Sequence, residues 1–140
     1  MDEKDVEIIE ILSGHARTSF AEIARRTGLS ESAVRNRVEN LERAGIIRGY
    51  RAVIDPPALG YRSVTYLGLD TEPEHFLDIV QALAAMEEVR WVATATGDHM
   101  VMAEVWTADD GALARFLDER VRTLPGVRRV CPTIIRERMG

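Results

Sequence analysis

From Ser19 to Leu41 the chain reads SFAEIARRTGLSESAVRNRVENL, and no other stretch constrains the fold as tightly. Apolar residues recur at helical spacing on both sides of a glycine. Ser19 followed three residues later by Glu22 is a capping-box signature, Ile23 and Ala24 give that segment a face to bury, and Gly28 ends it. Leu29 is expected to pack inward and Ser30 to cap the next helix, where Val34, Val38 and Leu41 fall at i, i+4 and i+7. Upstream, residues 2–13 repeat the pattern with Ile8, Ile9 and Leu12 behind Asp2 or Asp5 as cap. Three short helices, the last two joined by a Gly-containing turn, predict a helix-turn-helix. Ala44-Gly45 closes the third helix, and IIRGYRAVID after it predicts a strand pair, or wing.

The third helix carries chemistry on its outer side. With Val34, Val38 and Leu41 inward, Ser32, Arg35, Asn36 and Glu39 face out, flanked by Ala33, Arg37 and Asn40. Arginine pairs with guanine edges, asparagine with adenine, and serine with bases or phosphate. The expected DNA-binding set is therefore Ser30, Ser32, Ala33, Arg35, Asn36, Arg37 and Asn40, with Arg48 and Arg51 from the wing. A net charge of −5 opposes such a role at first sight, because phosphates repel an acidic protein. The charge is unevenly spread, however. Residues 1–54 hold nine Lys/Arg and nine Asp/Glu, so the excess acid lies entirely in the remainder. Between Arg25 and Arg51, seven arginines face three glutamates, which makes a local basic patch.

DPPALGY, Asp55 to Tyr61, interrupts both periodicities and reads as a linker. It divides the chain into a DNA-binding domain at 1–54, a linker at 55–61 and a second domain at 62–140. In the second domain strands are expected at Ser63–Leu69, Val89–Thr96, His99–Trp106 and Val127–Glu137. Helices are expected at Pro73–Met86, with Phe76, Val80 and Leu83 buried, and at Asp109–Leu124. The order βαββαβ is that of a ferredoxin-like sandwich, so the chain is expected to be α+β. Two helices cover one face of such a sheet. The other face, with Trp91, needs another cover, and a second subunit is the simplest.

FAEIARRTGLSESAVRNRVENLERAGIIRGYRAVIDPPALGY, with VRWVATATGDHMVMAEVW and FLDERVRTLPGVRRV, strongly resembles the Lrp/AsnC family of transcription regulators over nearly the whole chain. The resemblance implies a winged helix-turn-helix, a sandwich that senses amino acids, and dimers that assemble into tetramers or octamers. It matches Arg37 to an arginine of the family's recognition helix, for a phosphate or base contact. It also places an effector loop at Thr96-Gly97-Asp98-His99-Met100, where the family reads T-G-x-aromatic-D. Here His99 takes the aromatic place and Met100 replaces the acid, so either Asp98 supplies the negative charge or the ligand is apolar, if one binds at all. Thr133 on the last strand completes the candidate effector set. A plain hairpin turn with Met100 in the core is the structural alternative.

Other constellations point away from catalysis. His15, His75 and His99 lack metal-ligand spacing, Cys131 has no cysteine or histidine partner in sequence, and no metal or other cofactor is expected. Asp109-Asp110 stand at a helix start, where acids complement the dipole. Siroheme decarboxylases resemble both domains, but the Arg/His-rich stretch associated with them has no counterpart here. An architectural DNA-coating protein without an effector is the other alternative. MDEKDVEIIE is charged where a secretory signal needs an apolar core, and one cysteine fits a reducing compartment, so a cytoplasmic protein without membrane contact is expected.

Overall fold

The computed structural model describes residues 1–139, and its contacts divide the chain into two compact units, Met1–Val53 and a second beginning at Ile54. The first unit has three helices: α1 (Glu3–Gly14), α2 (Phe20–Thr27) and α3 (Glu31–Arg43). Each starts on an oxygen side chain that takes an otherwise unpaired amide. Asp2 accepts the Asp5 N–H at 2.9 Å, and the Asp2 N–H returns to the Asp5 carboxylate at 3.3 Å, a closed capping box. Ser19 accepts from Glu22 and Ser30 from Ala33, both at 3.1 Å. The reciprocal half expected at Glu22 is not made. Its carboxylate turns to Arg25 instead, whose guanidinium engages both oxygens in a bidentate pair. Gly28 adopts φ 77°, the left-handed conformation that ends α2 and aims the chain into α3. Ile8, Leu12, Ile23, Ala24, Val34 and Val38 form the core, with Leu29 and Phe20 packed against it.

The strand pair expected over Ile46–Asp55 is not formed. The amides of Ile46 and Ile47 both donate to the Leu41 carbonyl, at 3.0 and 3.1 Å, which folds this stretch back onto the end of α3. The Tyr50 hydroxyl then donates to Glu42 at 3.3 Å. Gly49 does not adopt the positive φ that a tight hairpin turn requires, and an isolated hairpin is marginal in water.

The second unit is a four-stranded antiparallel sheet with helices on one face. Its elements are β1 (Ser63–Thr71), α4 (Phe76–Ala84), β2 (Val89–Thr94), β3 (Val101–Thr107), α5 (Asp110–Phe116) and β4 (Val127–Ile135). Strand order is β2-β3-β1-β4, which makes the long β1 central. Leu67, Leu69, Val101, Ala103 and Val105 point to the helix side, where they bury Ile79, Leu83, Leu113, Phe116 and Val121. Several bounds differ from expectation. Pro73–His75 form a 3₁₀ turn ahead of α4, and α5 passes into a π-helical turn at Leu117–Val121. Each adjusts one end of its own helix, and the second keeps Leu117 and Val121 buried. β2 and β3 are shorter at their facing ends, leaving a longer loop between them. Residues 55–61, read as linker, include a 3₁₀ turn at Pro56–Leu59, and Tyr61 packs on Trp106 with ring centroids 5.7 Å apart.

Candidate nucleic-acid interface and effector loop

Burying Val34, Val38 and Leu41 fixes the rotation of α3. Ser32, Arg35, Asn36, Glu39 and Asn40 are left exposed, with Ala33 and Arg37 half-buried beside them. The Ser30 hydroxyl caps the helix and lies 3.3 Å from that of Ser32. The Arg35 guanidinium rests 5.5 Å from the centre of the Phe20 ring, which restricts its swing without neutralising it. Arg48 and Arg51 are exposed beyond the helix.

Arg37 behaves differently from the other expected contacts. One guanidinium nitrogen lies 2.7 Å from each carboxylate oxygen of Asp2 and 3.1 Å from Asp5. Hydrogen bonding to Arg37 and to the Asp5 amide holds the Asp2 carboxyl at about 2, well below its usual 3.8, and raises Arg37 in turn. Arg25 is likewise paired with Glu22. Among the described residues Arg17, Arg26, Arg35, Arg43, Arg48 and Arg51 of this unit have no ion pair, so no direct carboxylate contact neutralises their charge.

In the second unit, Thr96, Gly97, Asp98, His99 and Met100 form the β2–β3 connection. Ala95 donates to the Met100 carbonyl at 2.9 Å, and Met100 donates to Leu69 of β1 at 3.0 Å. Thr96, Gly97 and Asp98 are exposed, whereas Met100 packs against the core. His99 folds back onto the sheet: its ring lies so close over Gly68 that an added Cβ there would come within 2.6 Å of Cγ. Its Nδ1 is 3.8 Å from Asp70, whose other oxygen is 3.7 Å from Arg129. Thr133 is exposed on β4 opposite Tyr66, on the same outer sheet face as Gly68. The structure thus brings His99, Asp70 and Arg129 together and leaves Asp98 outside that group.

Sequence reading missed the centre of this outer face. Glu104, only 6% exposed, accepts the indole N–H of Trp91 at 3.0 Å and of Trp106 at 2.6 Å. Arg90 lies 4.1 Å over the Trp106 ring, and Tyr66 meets Trp91 edge-on at 6.1 Å. The signal was present: Glu104 and Trp106 are two residues apart on one strand, so they share a face.

Comparison with known proteins matches each unit separately. Residues 1–48 match a winged helix-turn-helix DNA-binding family, and residues 65–139 match the Lrp/AsnC ligand binding domain. The HTH-type transcriptional regulator LrpA of Pyrococcus horikoshii is 46% identical over 139 residues, covering 99% of each chain. The solved AsnC of E. coli superposes with a TM-score of 0.85 at 28% identity, over 99% of this chain and 93% of that one. A transcriptional regulator of Neisseria meningitidis, solved with L-Met, gives a TM-score of 0.92 over 100% and 92% of the chains. At 21% identity that match supports the fold alone.

Proposed function

Because the chain belongs to the Lrp/AsnC family of helix-turn-helix transcriptional regulators, we propose that it reads a DNA operator through the exposed face of α3. One observation carries this reading. The burial of Val34, Val38 and Leu41 presents Ser32, Arg35, Asn36 and Asn40 as one outward row on a helix of thirteen residues, the dimension that a major groove admits. Asn36 and Asn40 are assigned to base edges, Arg35 to a base edge or phosphate, and Ser30, Ser32, Arg48 and Arg51 to phosphates. Ala33 gives close approach or a thymine-methyl contact. Arg37 positions α3 through Asp2 and Asp5 rather than contacting DNA directly.

The sandwich is assigned to effector sensing and assembly, at Thr96–Met100 with Thr133. The effector is an amino acid or related metabolite. Its carboxylate meets the Gly97 turn amides and its ammonium meets Asp98. A second copy covers the outer sheet face around Tyr66, Trp91 and Glu104, giving a dimer that presents two α3 helices to successive turns of DNA. The protein acts in the cytoplasm, as a regulator and not an enzyme. No helix among the described residues is long and apolar enough to cross a membrane. Footprinting on the chain's own promoter, repeated with each amino acid, tests both halves of the proposal. A discrete protected site is expected, and its extent or affinity changes with one amino acid or a small group. Protection of any duplex alike, unchanged by every amino acid, contradicts it.

A further inference from the structure

β1 ends at Thr71, and the chain continues Glu72-Pro73-Glu74-His75 into a 3₁₀ turn before α4. A 3₁₀ turn eclipses residues i and i+3, so Glu72 and His75 stand over one another, joined by a 3.0 Å bond from the His75 amide to the Glu72 carbonyl. Glu74 turns into the same space. One carboxylate oxygen from each glutamate and one imidazole nitrogen all lie within 4.8 Å of each other.

Two features distinguish this group from ordinary surface acids. The imidazole is held in place: His75 lies against Gly126 so closely that a Cβ there would come within 2.6 Å of its Cγ, and the Glu72 amide donates to the Gly126 carbonyl at 2.8 Å. The two carboxylates also converge without a cation. Among the described residues no Lys or Arg pairs with Glu72, Glu74 or their neighbouring imidazole, although nine ion pairs form elsewhere. Like charges brought together in this way are relieved by a bound cation.

We propose that Glu72, Glu74 and His75 form a binding site for one divalent first-row transition-metal ion, with zinc the best match. Two carboxylates and an imidazole are ligand types that zinc accepts, and three of them leave its fourth tetrahedral position to water. The imidazole selects against magnesium and calcium, which prefer oxygen ligands alone. Zinc holds such atoms at about 2.0–2.2 Å, so ligand atoms now within 4.8 Å of one another must draw together, and the exposed Glu74 side chain has room to move in. The ion would clamp the β1–α4 connection. That connection follows directly on Leu69 and Asp70, the residues that hold Met100 and His99. Metal occupancy would therefore brace the strand end on which the Thr96–Met100 loop rests. The histidine spacing that argues against a metal in the sequence overlooks this group, because two of its three ligands are glutamates.

Titration of the metal-free full chain with zinc, followed by calorimetry and thermal unfolding, tests the site. One equivalent per chain is expected, with Tm raised by about 5 °C or more at a hundredfold excess over Kd. Glu74→Gln, at an exposed position, and His75→Ala should each weaken binding by at least about tenfold. His15→Ala, in the other unit, should leave it unchanged. Absence of zinc binding, equal affinity in Glu74→Gln, or loss of binding in His15→Ala would overturn the proposal. Competition by equimolar magnesium would overturn the assignment to a transition metal.

Discussion

Arg37 joins the recognition helix to the start of α1 by placing a single guanidinium nitrogen 2.7 Å from both carboxylate oxygens of Asp2. The third helix is therefore held by a polar staple at its exposed side as well as by the Val34/Val38/Leu41 stripe on its buried side. A residue with the chemistry of a DNA contact is thereby engaged with the start of α1.

This division of labour separates the arginines experimentally. Arg48→Ala and Arg51→Ala are expected to lower the slope of log affinity against log salt by about one unit each, the signature of a lost phosphate contact. Arg37→Ala should weaken binding while leaving that slope near wild type, and Asp2→Asn should weaken it in the same direction. If Arg37→Ala lowers the slope by a full unit and Asp2→Asn has no effect, Arg37 is a DNA contact.

The staple also has a pH range. Folding lowers the Asp2 carboxyl from 3.8 to about 2, so its charged form is favoured by the native state. Its contribution is complete above the unfolded value near 4 and is lost as pH falls towards about 2. Carboxyl NMR titration of Asp2 should therefore show a midpoint near 2 that returns towards 4 in Arg37→Ala. A wild-type midpoint near 4 would show that the ion pair does not persist in solution.

Val38 is 3% exposed inside the first core, so Val38→Asp would bury a carboxylate with no partner. A loss of at least about 4 kcal/mol is expected, enough to unfold a small helical unit. Both tryptophans, Trp91 and Trp106, lie in the second unit. Helical circular dichroism should fall while tryptophan fluorescence stays native. Wild-type helicity would contradict the burial argument.

Gly68→Ala places a methyl group where the His99 ring now lies. The ring must leave Gly68, and with it the Asp70 contact, so amide exchange at Thr96–Met100 should speed up while DNA affinity without effector is unchanged. Gly97→Trp, at φ 114°, is strained as well as bulky and should alter assembly or effector response. Unchanged exchange in the first variant, or wild-type assembly and response in the second, would remove the loop from effector sensing.

Much of this was legible because it depends on local rules. The caps at Ser19 and Ser30, and the choice of Asp2 or Asp5 for the first helix, follow from short oxygen side chains before apolar periodicity, and the α3 stripe follows from 3.6-residue spacing. The strand order is implied by the βαββαβ sequence of elements. What stayed hidden depends on partners distant in sequence. Nothing around Arg37 announces Asp2, thirty-five residues away, and nothing in the β2–β3 loop shows that His99 turns back onto Gly68. The wing failed as a strand pair because apolar alternation in IIRGYRAVID does not itself supply a paired partner. Glu104 drew no expectation from the sequence, and only the strand register places Trp91 opposite it.

The central claim is that the outward face of α3 reads base sequence. Its most direct test begins with selection of duplexes from a random pool by the wild-type chain. Wild type and Asn36→Ala are then titrated on the selected site and on a scrambled duplex at fixed salt. The wild type should prefer the selected site by at least about a thousandfold, and Asn36→Ala should lose about 1–3 kcal/mol of that preference while its binding to scrambled DNA is unchanged. Equal wild-type affinity for both duplexes, or full preference retained in Asn36→Ala, would contradict the account.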